Sequence, residues 1–152
     1  MKPRLVLGLG GALAGDDAIG LRLAERLAAD PRLPPDVEAT TGGADLLRLA
    51  GVLAGRSHVV LVDAVAARPG DTRPLVGEHP LPGLDTRQGH AHHLSAVQAL
   101  DLLLLSEPAL AATRFTWFLV PIASTDPGDD LSPALARALP ELTETLRQLL
   151  LR

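Results

Sequence analysis

Residues 58–63 read His-Val-Val-Leu-Val-Asp, four consecutive aliphatic side chains closed by a carboxyl group. A strand with one wet face alternates apolar and polar residues, so this unbroken run belongs in a sheet covered on both sides. Such sheets are largely parallel, and parallel strands need crossover segments, usually helices, between them. The rest of the chain supplies that alternation. Residues 5–9 read as a first strand, and 17–29 as a helix with Ile19, Leu23 and Leu27 on one face. Residues 37–41 form a second strand ending at Gly42-Gly43, and 44–53 a short helix. After the third strand, 58–63, a helix is expected over 92–105 and a further buried strand over 115–121. Ser132-Pro133 then offers an N-cap followed by a first-turn proline. Pro140 is expected to start a fresh turn or kink the last helix, whose apolar stripe includes Leu142, Leu146 and Leu149. The expected fold is α/β with a largely parallel sheet, in a single domain over 1–152.

Residues 66–89 break this rhythm. Pro69, Pro74, Pro80 and Pro82 alternate with Gly70, Gly77, Gly83 and Gly89, which excludes a long helix. An excursion of this length needs some structure or a function of its own, and an edge strand near 72–76 is expected.

Composition narrows the partners. A chain of 152 residues that is 47% hydrophobic can fill a sizeable core. The net charge is −4 and the 14 Lys and Arg are scattered, so no basic patch marks nucleic acid or an anionic membrane. Phe115, Trp117 and Phe118 are the chain's aromatic residues, and all fall in one apolar segment, which leaves little for base stacking. Absence of cysteine excludes disulfides, thiolate metal sites and a cysteine nucleophile. Lys2, Arg4 and Ala12-Leu-Ala14 imitate a secretory leader, but the apolar stretch is short and broken by Gly8, Gly10 and Gly11, so residues 4–9 are read as a buried strand. No apolar run reaches the roughly 18 to 20 residues needed to span a bilayer.

The chemistry is sought at the carboxyl ends of the strands, where open parallel sheets bind ligands. Asp16 and Asp17 follow the first strand, Gly42-Gly43 the second, and Asp63 closes the third. The glycine-rich opening imitates a phosphate cradle, but two acids there repel a phosphate and suit a metal or a proton. Neighbouring strands lie about 4.8 Å apart, so Asp17 and Asp63 can share one cation if strands one and three are adjacent. His90, His92 and His93, three of the five histidines, add imidazole ahead of the next helix, whose N-terminus favours the neutral ring. Nickel, zinc, cobalt and manganese all suit such ligands. Structural readings stand beside these: either Asp16 or Asp17 can serve as a cap, His58 as a structural histidine, and Gly42-Gly43 as a turn.

Two other chemistries fail on particulars. Gly8-x-Gly10 lacks the third glycine of a dinucleotide motif, since position 13 is Leu13. No G-x-S-x-G surrounds Ser57, Ser95, Ser106, Ser124 or Ser132.

Five segments in order, LVLGLGGALAGDDAIG, TTGGADLL, VVLVDAV, HAHHL and DLSPAL, make the chain resemble the hydrogenase maturation endopeptidases over nearly its whole length. These peptidases remove the C-terminal extension of a nickel-iron hydrogenase large subunit. The resemblance implies a three-layer α/β sandwich with a twisted, mainly parallel sheet of about five strands. It implies an aspartic-type endopeptidase, cytoplasmic, acting on a nickel-loaded large-subunit precursor, with no nucleic-acid or membrane partner and no organic cofactor. The nickel is carried by the substrate and read by Asp17, Asp63 and His92, which are at once the catalytic and the metal-binding candidates. Asp16 becomes a neighbouring support, His90 and His93 alternatives to His92, and Gly42 and Gly43 supporting positions. Gly11 stands where the family usually has Asn. Two alternatives are a non-enzymatic module that samples nickel sites and a peptidase of this family with another precursor.

Overall fold

The structure, a computed structural model, describes residues 1–67, 71–81, 95–123 and 126–152. Five strands form one sheet: β1 (Arg4–Leu9), β2 (Val37–Gly43), β3 (His58–Ala66), β4 (Leu75–Glu78) and β5 (Arg114–Ile122). Their spatial order is β2-β1-β3-β5-β4. Every pairing is parallel except that of β4 with β5, which is antiparallel at the edge. Among the described residues the helices are α1 (Ile19–Ala28), α2 (Ala50–Leu53), α3 (Ala96–Ser106) and α4 (Pro133–Leu149), with 3₁₀ turns at Gly15–Ala18, Leu46–Leu49 and Pro108–Leu110.

Side-chain alternation along the strands makes two cores. Leu5, Leu7, Val59, Leu61, Phe115 and Trp117 face one way, packed with Leu53 and with Val97, Leu100 and Leu103 of α3. Val6, Val60, Val62, Phe118 and Val120 face the other way, against Ile19, Leu23 and Leu27 of α1 and Leu146 of α4. The result is a three-layer sandwich with α1 and α4 on one side and α2 and α3 on the other. Arg56, buried near the start of the sheet, is satisfied by Lys2 O at 2.7 Å, Val52 O at 3.1 Å and Glu38 Oε2 at 2.7 Å.

Some boundaries differ from the sequence reading. The helix expected over 92–105 begins at Ala96, because Ser95 and Gln98 make a reciprocal capping box: Ser95 Oγ accepts from Gln98 N and Gln98 Oε1 from Ser95 N, both at 3.1 Å. The expected edge strand lies slightly later, at Leu75–Glu78. The 44–53 helix divides into a 3₁₀ turn, whose cap Asp45 accepts from Leu47 N, and the single turn of α2. Of the two outcomes expected at Pro140, a fresh turn is not found: α4 runs through it. Both Pro140 and Ala136 are exposed, so water can satisfy the Ala136 carbonyl that loses its usual N–H donor. Among the described residues, no helix is long and apolar enough to cross a membrane.

The opening glycines serve packing as well as turning. A Cβ at Gly20 would overlap the carbonyl oxygens of both Leu9 and Val62, and one at Gly8 would overlap the Gly20 carbonyl. Helix α1 therefore lies on β1 and β3 more closely than any larger residue allows. Replacing Gly20 by Ala tests this with a sign reversal. Helix propensity alone would add about 1 kcal/mol of stability, whereas overpacking against two backbone carbonyls predicts a loss of about 1–3 kcal/mol. A lowered urea midpoint at unchanged slope is the expected result.

Candidate functional site

The parallel pairing puts the carboxyl ends of β1, β2, β3 and β5 on one edge. Asp63 follows Val62, the residue level with Gly8 of β1, and it pairs with Leu119 of β5. Its Oδ1 accepts from Ala64 N at 2.8 Å. Asp17 lies in the Gly15–Ala18 turn between β1 and α1. The seat of Gly20 against the Leu9 and Val62 carbonyls holds the start of α1 over the gap between β1 and β3, and Asp17 three residues earlier comes with it. The two acids therefore meet electrostatically. Burial raises the Asp63 pKa from 3.8 to about 7; the Ala64 N–H pulls it down, and the charge of Asp17 pushes it further up.

The two adjacent aspartates have separate surroundings. Asp16 is 8% exposed and its Oδ1 accepts from Ser132 N at 2.6 Å, 116 positions along the chain. Asp17 is only partly buried, and it is Asp17 whose charge Asp63 feels. Gly43 adopts φ +72 at the irregular end of the β1–β2 ladder, and its carbonyl accepts from Gly10 N at 2.9 Å. Gly42 is a packing position, since a Cβ there would come within 2.7 Å of Leu49 Cδ1 and 2.9 Å of Leu7 Cδ1.

His90, His92 and His93 lie outside the described residues. Helix α3, which follows them, packs on the sheet face formed by Val59 and Leu61, the face that the alternation of β3 also gives Asp63. The other two histidines have structural partners. His58, buried at the start of β3, lies 3.1 Å by Nδ1 from Arg114 Nη2 and 2.8 Å by Nε2 from Thr116 Oγ1, while Thr116 Oγ1 donates to Glu78 Oε1 at 2.8 Å. Burial, then the Arg114 charge, lowers the His58 pKa, which favours the neutral ring. His79 accepts from Trp117 Nε1 at 3.0 Å by Nδ1, which leaves Nε2 to donate to Asp101 Oδ1 at 2.8 Å. This Trp117–His79–Asp101 chain ties the buried end of the tryptophan to α3 and has no counterpart in the sequence reading, where single histidines and acids far apart carry no signal. A hollow of about 640 Å³ is lined by Arg4, His58, Arg114 and Leu151. It lies at the opposite edge of the sheet and has no carboxyl side chain in its lining, so it does not suit a cation.

The sequence profile of the hydrogenase maturation proteases matches residues 21–148. The chain belongs to that family. It is similar to the hydrogenase 2 maturation protease of Escherichia coli K12, 35% identical over 102 residues, and the match spans 65% of this chain and 62% of that protein's length. It is 31% identical over 133 residues to protein FrxA of Pyrococcus furiosus, across 87% of this chain and 93% of that one. Among solved structures, the hydrogenase maturating endopeptidase HybD from E. coli superposes with a TM-score of 0.75 at 28% identity, covering 96% of this chain and 90% of HybD. The likeness accounts for the five-stranded, mainly parallel sheet and its helical layers.

The raised Asp63 pKa makes a stability prediction for this family member. A folded-state pKa above the unfolded value of 3.8 means the Asp63 proton stabilises the fold fully at low pH, and that contribution is lost as pH rises through about 7. Asp63→Asn should therefore stabilise the fold at about pH 8, by on the order of a few kcal/mol and seen as a raised thermal midpoint, and leave the midpoint nearly unchanged at about pH 4. Midpoints measured across that range check this; a difference independent of pH would contradict it.

Proposed function

We propose that this chain is an aspartic-type endopeptidase of the cytoplasm that removes the C-terminal extension of a hydrogenase large-subunit precursor after nickel insertion. The observation that carries the reading is the electrostatic contact of Asp17, in the β1–α1 turn, with Asp63 of the adjacent strand β3 at the carboxyl edge of the sheet. The charge of Asp17 disfavours ionisation of Asp63, and a cation between them removes that penalty. Family membership favours a peptidase over a non-enzymatic nickel-sampling module.

In this reading the nickel belongs to the substrate. Two carboxyl groups and one imidazole, that of His92, bind a free ion weakly, whereas a metal already seated in the precursor brings its own ligands and makes the bridge. Filled precursors are thereby distinguished from empty ones. The same metal can polarise a nearby carbonyl or a water, which suits a chain with neither a cysteine nor a serine elbow. The carboxyl group of Asp63, held near neutrality in its proton affinity, is suited to accept or return a proton beside the scissile bond.

The test is incubation with nickel-loaded and nickel-free large-subunit precursor followed by mass spectrometry. Loss of the extension from the loaded form alone is expected, and no mass loss with nickel present would overturn the reading. Asp17→Asn, Asp63→Asn and His92→Ala should each abolish processing while unfolding stays cooperative. If His92→Ala remains active and His90→Ala or His93→Ala does not, the ligand is the other histidine.

A further inference from the structure

The turn that carries Asp17 is fastened to a distant loop, the one between β5 and α4. Residues 13–16 and 126–132 meet in a parallel bridge between Ala14 and Gly128. Gly15 N donates to Gly128 O and Gly128 N donates to Leu13 O, both at 3.0 Å. Gly15 has φ +59, and a Cβ there would overlap the Asp126 carbonyl oxygen, so only glycine fits at this crossing. The side chain of Asp16 completes the clasp by accepting from Ser132 N at 2.6 Å. Ser132 is at the same time the N-cap of α4, its Oγ accepting from Leu135 N.

The clasp holds the turn that carries the Asp17 backbone. Asp17 N donates to Ala14 O at 3.2 Å, inside the clasped turn, while the Asp17 carbonyl lies so close to Gly10 that a Cβ there would overlap it. The Asp17 backbone is thus tied into the clasped turn on one side and lies against the Gly10 backbone on the other. A buried acid that accepts from an N–H across the fold is well placed to set this geometry, because a metal site tolerates little error in its ligands.

We propose that Asp16 is a positioning residue for Asp17, acting through its hydrogen bond to Ser132 N–H and the clasp between the β1–α1 turn and the β5–α4 loop. The inference rests on the reading that Asp17 is a metal-reading carboxyl group. It also gives the DLSPAL segment a role at the site: Ser132 serves Asp16 by its N–H and α4 by its hydroxyl.

The two sides of the bond can be tested independently. Asp16→Ala removes the acceptor, and Asp16→Asn keeps an oxygen at the same position. Ser132→Ala keeps the N–H and loses the hydroxyl cap, whereas Ser132→Pro loses both; the Ser132 φ of −55° suits proline. Each variant is titrated with nickel ion alone by calorimetry, well below its own unfolding midpoint, and assayed for kcat and KM on nickel-loaded precursor. Asp16→Ala and Ser132→Pro should each weaken nickel binding about 10- to 100-fold, Asp16→Asn should restore most of the loss, and Ser132→Ala should bind nickel like the wild type. A clasp that only stabilises the fold would lower the midpoint and leave nickel affinity and kcat in place, and that result would overturn the proposal. Asp17→Asn separates the two claims. If it abolishes nickel binding while Asp16→Ala and Ser132→Pro do not weaken it, the clasp proposal alone fails. If Asp17→Asn binds nickel and processes the precursor like the wild type, the functional reading fails and takes the clasp proposal with it.

Discussion

The contact on which the rest of the structure depends is the seat of α1 on the sheet, where Gly20 rests on the carbonyl oxygens of Leu9 and Val62. Those carbonyls belong to adjacent strands at the end of their shared ladder. A helix pressed against both must begin above the gap between them. The turn ahead of it, with Asp16 and Asp17, is thereby carried to the edge where β3 delivers Asp63. Glycine is required by backbone proximity at Gly8 and Gly20, and by conformation as well at Gly10, where φ is +137. The opening that imitates a phosphate cradle is thus a device for close helix–sheet packing, and the carboxyl groups it positions set the electrostatics.

Burying an acid beside another acid works against the fold. Asp63 shows the consequence in a pKa raised to about 7, caused first by burial and further by Asp17. A site optimised for stability alone would replace it with an amide or an apolar residue. The arrangement is understandable where a cation is the intended occupant, since it relieves the repulsion that the resting protein carries. Asp16 shows the contrast: also a carboxyl group, and adjacent to Asp17, it has an N–H partner in Ser132 that ties the turn to the start of α4.

Much of this was legible in the sequence because it is periodic. The unbroken aliphatic run of β3 called for a covered parallel sheet, and the stripes Ile19-Leu23-Leu27 and Leu142-Leu146-Leu149 located helices whose apolar faces meet one core. The Ser132-Pro133 pair marked the start of α4 through local capping chemistry. What escaped is non-local. Nothing in the spacing of Asp16 and Ser132 shows that they bond across 116 positions, and Gly15 and Gly128 look like ordinary turn residues until the bridge between them is seen. The start of α3 was misplaced for a different reason. Residues 92–94 fit a helical pattern, and the Ser95–Gln98 capping box that sets the boundary is a reciprocal side-chain contact, which periodicity does not register. The direction of β4 was likewise invisible, since a four-residue strand gives no sign of whether its neighbour runs with it or against it.

The central claim is that Asp17 and Asp63 form one cation-reading pair. Anomalous diffraction from crystals of the protein soaked in a nickel salt tests it most directly. A nickel peak is expected between the carboxyl groups of these two residues and is expected to be absent from crystals of Asp17→Asn. Nickel bound at other positions with nothing between Asp17 and Asp63, or an unchanged peak in Asp17→Asn, would contradict it.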